Sequence, residues 1–200
     1  MNILKVSYKL IPINLLKNEQ RGMDYMQVNP LATVPAIRTS DGTVIWQSLA
    51  IIDFLDTEAR LLPRDRKQRA RCMQIVQTIC AEIQPLQNLS VVGRVKELAG
   101  EQAGLEWARH HNLSKLQIIN NSLVSKSHEL CVGNQVSLAD VCLVPQLYSA
   151  NRFGIDIKSE LPNLYKIAKR LEVLDEFQRA HPHAQPDCPE DIKKLGLLFA

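Results

Sequence analysis

The sequence lacks the long apolar segment that a membrane protein needs. No uninterrupted apolar run in its 200 residues approaches the roughly 20 residues that cross a bilayer. The opening residues, MNILKVSYKL, contain neither a long apolar stretch nor a small-residue cleavage site, so they do not predict a secretory signal. We therefore expect neither membrane insertion nor secretion.

The sequence also lacks a large excess of charge of either sign, and its cysteines follow no pairing motif. A net charge of +3, with no basic stripe interleaved with aromatic residues, argues against nucleic-acid binding. The five cysteines form no CxxC pair and are irregularly spaced, which predicts reduced thiols in the cytoplasm, with the mitochondrion as an alternative. No Ser-His-Asp set, phosphate loop or metal-ligating cluster is recognisable in the sequence, so no metal site is predicted.

The pattern of residues divides the chain into two parts. Residues 1–60 carry an alternating run over 6–12, which predicts a strand, and two apolar runs around Ser40-Asp41-Gly42, which predict a hairpin. A helical turn is expected over 23–28. Residues 60–65 interrupt the pattern as a short linker. The predicted fold is a small α/β domain over 1–60 followed by an all-α domain over 66–200.

Helix boundaries in the second part follow from individual residues. Apolar residues recur at helical spacing over 73–86, and Pro85 is predicted to kink that helix rather than end it. A second long helix is predicted over 105–124. Ser137 and Asp140 stand at the N-cap and N3 positions of a third helix, where they can satisfy each other's backbone N–H groups. Leu161-Pro162-Asn163 marks the start of a fourth helix.

The Val34-Pro35 pair directly precedes the first strand of the predicted hairpin. If the bond between the two residues is cis, which for X–Pro costs only about 0.5–1 kcal/mol, the turn exposes the N–H and C=O of Val34 to the side. Those two groups could then pair with an extended peptide as an added strand. The alternative is a trans proline that only starts a strand.

Gln47 and Ser48 stand where the second strand ends and a helix begins. Unpaired N–H groups and the positive end of the helix dipole make such a position suitable for an anion. Ser48 adds a hydroxyl group and Gln47 adds an amide. The alternative, which is compatible with anion binding, is that Ser48 only caps the helix.

The segment QPLQNLS, residues 84–90, places polar side chains in the middle of an apolar helical pattern. Because buried amides rarely lack a hydrogen-bond partner, these residues are candidates for contact with a ligand. The alternative is an ordinary exposed polar face.

Several segments in collinear order give the chain a family resemblance. They are NPLATVPAI, DGTVIWQSLAIIDFL, LLPRD, IQPLQNLSV, CVGNQVSLADVCLVPQ and HPHAQPDCPE. Over nearly the whole chain they resemble the zeta-class glutathione transferases, and IQPLQNLSV and SLADVCLVPQ are the most specific of them. The resemblance implies a thioredoxin-like N-terminal domain followed by an all-α domain, assembled as a homodimer.

The same resemblance implies roles for individual residues. Val34, ahead of a cis Pro35, would pair with the cysteinyl backbone of glutathione. Gln47 and Ser48 would hold the γ-glutamyl carboxylate. Arg152 would face the second substrate, because a guanidinium group suits a dicarboxylate. The remaining implied contacts with glutathione come from Gln20 in the first domain and from Gln84, Asn88, Leu89 and Ser90 in the helical domain.

The implied activity is glutathione-dependent cis–trans isomerisation of maleylacetoacetate to fumarylacetoacetate in tyrosine and phenylalanine breakdown. Family members carry a first strand and then a Ser-Ser-Cys-Ser-x-Arg motif that stabilises the glutathione thiolate. Residues 1–5 of this sequence match the end of the helix that follows that motif, and no later Ser-Ser-Cys run replaces it. The resemblance therefore yields no candidate catalytic residue, and we expect a chain that starts at Met1 to be a truncated form, poorly soluble or inactive.

Two other functions fit the same residues. The zeta class also acts on small haloacids as a glutathione transferase, although Arg152 favours dicarboxylates. The absent thiolate motif favours a non-catalytic, transferase-like interaction module. The retained Val34, Gln47 and Ser48 weigh against such a module, because a pure scaffold needs no glutathione-contacting groups.

Overall fold

The structure is a computed structural model, and it describes residues 1–124 and 128–189. Contacts divide the chain into two compact units, Met1–Arg60 and a second unit that begins at Leu61. The end of the predicted helical domain, residues 190–200, lies outside the described residues. Within the part of the chain that the structure describes, no helix is long and apolar enough to cross a membrane.

The first unit contains an antiparallel hairpin. Strand β1 (Ala36–Arg38) pairs with strand β2 (Val44–Trp46), with Ala36 opposite Trp46 and Arg38 opposite Val44. In the connecting turn Gly42 has a φ of 89°, a conformation that glycine adopts without a steric penalty. The hairpin predicted from the two apolar runs is confirmed.

Short helices complete the first unit. They are α1 (Met23–Met26), α2 (Ser48–Leu55) and two 3-10 turns at Leu15–Lys17 and Glu19–Arg21. The predicted helical turn at 23–28 is confirmed by α1. The predicted strand over 6–12 is wrong, because these residues form no regular element. Within residues 1–60, β1 and β2 pair only with each other, and an alternating run without a partner strand has no ladder of hydrogen bonds to hold it extended.

The second unit is helical. Its elements are α3 (Arg66–Gln77), a π-helical segment (Thr78–Ile83), a 3-10 turn (Gln84–Gln87), α4 (Leu89–Ala99), α5 (Glu101–Ile118), a second π-helical segment (Ile119–Leu123), α6 (Leu138–Arg152), α7 (Ile157–Glu160), α8 (Pro162–Leu171), α9 (Asp175–Ala180) and a 3-10 turn (Pro182–Ala184). Its core is built from fully buried aliphatic side chains such as Ile75, Leu116, Leu143 and Leu164.

The segment around Pro85 differs from the sequence prediction. After α3 the chain passes through the π-helical segment and the 3-10 turn, and Asn88 then has a ψ of 143° before α4 begins. Proline donates no backbone hydrogen bond and its ring crowds the preceding turn, so the regular helix does not continue past it. Residues 84–90 therefore lie at a junction between two helices and not in the middle of one. The second long helix begins at Glu101, earlier than the predicted residue 105.

The start of α6 confirms the predicted pairing of Ser137 with Asp140. The Ser137 N–H donates to Oδ2 of Asp140 (2.8 Å), and the Ser137 hydroxyl donates to the same oxygen (2.7 Å). The other carboxylate oxygen, Oδ1, accepts a hydrogen bond from the Cys131 N–H (3.0 Å). Asp140 is fully buried, so this carboxylate joins the incoming loop to the first turn of α6. The predicted helix start at Pro162 is also confirmed.

Candidate functional site

One end of the hairpin brings four of the predicted site residues together. Because Ala36 pairs with Trp46, the preceding Val34-Pro35 and the following Gln47-Ser48 lie at the same end of the sheet, opposite the Gly42 turn. The Val34–Pro35 bond is cis, as the resemblance implies. The first unit therefore places its candidate peptide-pairing residue next to its candidate anion-binding residues.

The backbone of Val34 is open to a ligand. Within residues 1–60, neither its N–H nor its C=O has a hydrogen-bond partner, and the residue is 42% exposed. An extended peptide could satisfy both groups in the way that an added strand does.

Two side chains that the sequence analysis missed hold the loop before Val34. Asn29 is buried; its Nδ2 donates to the Thr33 carbonyl (2.7 Å) and its Oδ1 accepts from the Leu31 N–H (3.0 Å). The Tyr25 hydroxyl donates to the same Thr33 carbonyl (2.7 Å). Burial raises the pKa of Tyr25, so the hydroxyl keeps the proton that it donates. The role of Asn29 could have been predicted from the sequence, since an asparagine side chain often bonds the backbone two residues ahead in a turn.

Replacing Asn29 with alanine should loosen residues 29–34. The change removes the acceptor of the Leu31 N–H and one donor to the Thr33 carbonyl, at a cost of about 1–3 kcal/mol. Hydrogen exchange in the first unit should speed up roughly five- to hundredfold, since each 1.4 kcal/mol is a factor of ten. Tyr25→Phe is the matched control, because it leaves both Asn29 contacts in place and should have a smaller effect. Equal effects of the two substitutions would contradict this role of Asn29.

The entry to α2 differs from the sequence prediction in one respect. Gln47 is the N-cap residue, Ser48 is the first helical residue, and no side chain caps the helix. The expectation that Ser48 caps it is therefore wrong. Gln47 has a φ of 76°, which is uncommon for a residue other than glycine and is often found at functional sites.

Ser48 consequently keeps its polar groups available. A first-turn N–H has no acceptor within its own helix, and the Ser48 hydroxyl has no hydrogen-bond partner within residues 1–60. Ser48 is also exposed. These donors lie at the positive end of the helix dipole, where a carboxylate is favoured.

Gln20 supplies an acceptor that lacks a donor. It lies in the 3-10 turn Glu19–Arg21, and its Oε1 is buried without a hydrogen-bond partner among the described residues. A buried unsatisfied acceptor costs free energy, which a ligand N–H could recover. The structure forms no hydrogen bond between Gln20 and the four residues at the hairpin end.

The second unit gathers its predicted residues at the junction between the 3-10 turn and α4. Gln84 Nε2 donates to Asn88 Oδ1 (2.9 Å), and both Leu89 and Ser90 are exposed. Arg152 lies apart from them in sequence, in the last turn of α6. It is exposed and forms no ion pair or hydrogen bond within the described ranges of the second unit.

A chain of amides fixes this junction. Gln87 and the buried Gln146 exchange two hydrogen bonds (3.2 and 3.1 Å), and Gln146 Nε2 also donates to Asn112 Oδ1. Trp107 Nε1 donates to the Leu86 carbonyl (2.9 Å). The sequence analysis named the polar side chains at 84–90 as candidates for contact with a ligand. The Gln87 amide instead bonds another residue of the protein, Gln146. The network holds the 3-10 turn against α5 and α6.

A pocket of about 280 Å³ lies elsewhere in the second unit. Its lining includes Lys67, Arg71 and His128, and no predicted site residue contributes to it. Sequence and structure therefore point to the hairpin end and the helix junction as candidate sites, and not to this pocket.

Comparison with known families places these residues in context. The family model described as "Glutathione S-transferase, N-terminal domain" matches residues 1–58, and "Glutathione S-transferase, C-terminal domain" matches residues 71–175. The chain is 39% identical to probable maleylacetoacetate isomerase 2 of Drosophila melanogaster, over 96% of this chain and 84% of the relative. It is 40% identical to the maleylacetoacetate isomerase of Mus musculus, over 94% and 87%.

Solved structures give the same picture. A maleylacetoacetate isomerase from Methylobacterium extorquens AM1, with malonate and glutathione bound, superposes with a TM-score of 0.87 at 30% identity, over 94% of this chain and 91% of that one. A maleylpyruvate isomerase described as a bacterial zeta-class glutathione S-transferase superposes with a TM-score of 0.88 at 29% identity, over 94% and 91%. The predicted fold, a thioredoxin-like domain with a small sheet followed by a helical domain, is confirmed.

Proposed function

This chain belongs to the glutathione S-transferase family, in the zeta class that includes the maleylacetoacetate isomerases, and we propose that it uses glutathione to convert maleylacetoacetate into fumarylacetoacetate. The observation that carries the proposal is the hairpin end, where the unpaired backbone of Val34 and the open N-terminus of α2 lie side by side. The relatives named above are two maleylacetoacetate isomerases, one probable maleylacetoacetate isomerase and one maleylpyruvate isomerase, and the bacterial maleylacetoacetate isomerase binds glutathione and malonate.

The donors and acceptors of the first unit fit the parts of glutathione. The N–H and C=O of Val34 suit the backbone of its cysteine. The Ser48 hydroxyl and N–H, at the positive end of α2, suit its γ-glutamyl carboxylate, with the Gln47 amide beside them. The unpartnered Oε1 of Gln20 suits an N–H of the tripeptide. These groups bind and orient the cofactor.

When bound, glutathione supplies the thiol that adds reversibly to the conjugated double bond and so permits its rotation. The chain's own residues hold the two reactants in place. By the family resemblance, the proposed contacts with glutathione in the second unit are Gln84, Asn88, Leu89 and Ser90 at the helix junction. Arg152, an exposed guanidinium without an ion pair in the described ranges of its unit, suits a carboxylate of the second substrate.

The assay is conversion of maleylacetoacetate by the full natural protein with and without reduced glutathione, followed by chromatography. We expect fumarylacetoacetate only when glutathione is present. Maleylpyruvate and a small haloacid are the comparison substrates. Faster turnover of the haloacid would favour a broader transferase, and glutathione binding without turnover of any substrate would favour a non-catalytic module.

Substitution of Arg152 tests separately whether this residue binds the second substrate. Arg152→Ala should raise the KM for a dicarboxylate substrate roughly ten- to hundredfold, because a charge-assisted hydrogen bond contributes about 1.5–3 kcal/mol. The Kd for glutathione should not change. Arg64→Ala removes another exposed arginine of the same unit and should leave both constants unaltered. An unchanged KM in Arg152→Ala would remove this residue from the proposal.

We also propose that the protein works as a cytoplasmic homodimer. The free state of all five cysteines supports a reducing compartment, and the family resemblance supports the dimer. Light scattering after size exclusion tests the assembly, and a monomeric mass at assay concentration would contradict it.

A further inference from the structure

Two of the five cysteines are in contact although they are far apart in the sequence. Cys80 lies in the π-helical segment Thr78–Ile83 and Cys142 lies in α6, and their sulfur atoms are 3.9 Å apart across a sequence separation of 62 residues. Both residues are partly exposed. Among the five cysteines, all of which lie in the described ranges, no other pair is within hydrogen-bonding distance.

The remaining thiols differ from this pair. Cys72 and Cys131 are buried, and burial raises the pKa of each. Cys188 is partly exposed, and its sulfur contacts the Pro189 carbonyl (3.6 Å) rather than another sulfur. A reagent in solution therefore meets a pre-assembled dithiol only at Cys80 and Cys142.

The contact divides the two thiols into different roles. The contact between the two sulfurs lowers the pKa of Cys80, while the same contact and burial raise the pKa of Cys142. The thiolate is the nucleophile in disulfide exchange. The 3.9 Å contact carries the pairing itself, and within the pair we assign Cys80 as the attacking residue and Cys142 as the residue that completes the reaction, an order that single substitutions test.

We propose that Cys80 and Cys142 form a reversible disulfide by exchange with a small disulfide, of which glutathione disulfide is the physiological example. The Cys80 sulfur attacks one sulfur of the reagent, its S–S bond breaks, and the first glutathione leaves as a thiolate. Cys142 then attacks the Cys80 sulfur of the mixed disulfide, its proton passes to a leaving thiolate, and the second glutathione departs. The protein loses two electrons and two protons, and glutathione disulfide becomes two molecules of reduced glutathione.

The bond would act on the helix junction. A disulfide needs a sulfur–sulfur distance of about 2.05 Å, so the present 3.9 Å must shorten. Cys142 lies one helical turn before Gln146, and Gln146 holds Gln87 through two hydrogen bonds. Oxidation therefore draws the π-helical segment toward α6, directly before the 3-10 turn that the amide chain joins to the same helix. If the proposed function holds, Gln84 and Asn88 move with the 3-10 turn that follows, and oxidation alters glutathione binding.

The direct test uses the full natural protein in a series of reduced-to-oxidised glutathione ratios. After acid quenching and alkylation, peptide mapping should find Cys80 joined to Cys142 in oxidising mixtures and alkylated separately in reducing ones. The linear disulfide of 2-mercaptoethanol forms the second arm, because it contains no tripeptide and cannot depend on a glutathione site, and it should join the same two cysteines. Both cysteines remaining alkylated at the most oxidising ratio, or Cys80 joined to a different cysteine, would overturn the proposal.

Single substitutions test the order of attack. Cys142→Ser should trap one glutathione on Cys80, because no second sulfur displaces it. Cys80→Ser should gain far less glutathione at Cys142. Cys188→Ser is the matched control and should form the pair as the unsubstituted protein does. Circular dichroism checks the fold of each variant, and the result with the unsubstituted protein stands by itself should a variant unfold. Equal glutathione uptake by the two pair variants would contradict the assigned order.

Discussion

Replacing Ser48 with alanine is expected to weaken glutathione binding roughly ten- to hundredfold. The substitution removes a hydroxyl donor at the open end of α2, and hydrogen bonds to charged groups contribute about 1.5–3 kcal/mol. Each 1.4 kcal/mol corresponds to a factor of ten in Kd. Because the Ser48 side chain does not cap α2, its removal should not unfold the helix. Loss of binding should therefore occur without a comparable loss of stability.

The control for this prediction lies in the same unit. Ser40 is an exposed serine in the turn at the other end of the hairpin, so Ser40→Ala should leave the Kd for glutathione unchanged. Titration calorimetry measures both variants. A Ser48→Ala variant that binds as tightly as the unsubstituted protein would show that the end of α2 does not hold the carboxylate.

Replacing Asp140 with alanine is expected to destabilise the second unit by about 3 kcal/mol or more. The change leaves three donors without an acceptor, the Ser137 N–H, the Ser137 hydroxyl and the Cys131 N–H. Each buried donor left unpaired costs about 1–3 kcal/mol, and a lost helix cap typically costs about 1 kcal/mol. Urea unfolding followed by the fluorescence of Trp107, which lies in this unit, measures the loss.

Asp65 provides a matched control for Asp140. It caps α3 by accepting hydrogen bonds from the N–H groups of Lys67 and Gln68 (3.1 and 2.9 Å), but it is exposed. Asp65→Ala should therefore cost only about 1 kcal/mol, the ordinary value of an exposed cap. Similar losses for the two variants would mean that burial adds nothing to the role of Asp140.

Local chemistry explains the parts of the fold that the sequence predicted correctly. The hairpin depends on a glycine turn and two short apolar runs, which are close in the chain and need no distant partner. The pairing of Ser137 with Asp140 depends on a spacing of three residues. Features of this kind depend on neighbouring residues alone, so they could be read from the sequence.

Non-local packing explains the errors. The alternating run at 6–12 looks like a strand, but strand formation depends on a partner that the sequence does not specify. Residues 84–90 follow an apolar helical pattern, yet Pro85 and the extended Asn88 divide it into two helices. The contact of Gln87 with Gln146 joins residues 59 positions apart, which a single sequence does not reveal.

The site residues also divide into those that local sequence predicted and those that it did not. The pairs Val34-Pro35 and Gln47-Ser48 were predicted because each stands at a strand end, and the hairpin register then places them together. Their assignment to glutathione came from the family resemblance. Asn29, which holds the loop before Val34, was missed because its side chain acts on the backbone and not on a ligand.

Calorimetric titration of the full natural protein with reduced glutathione tests the central claim most directly. If the hairpin end clamps the tripeptide, the titration gives saturable heat with one ligand per chain, and Ser48→Ala shifts the midpoint to higher ligand concentration. The absence of saturable heat at two well-separated temperatures would contradict the assignment of this site.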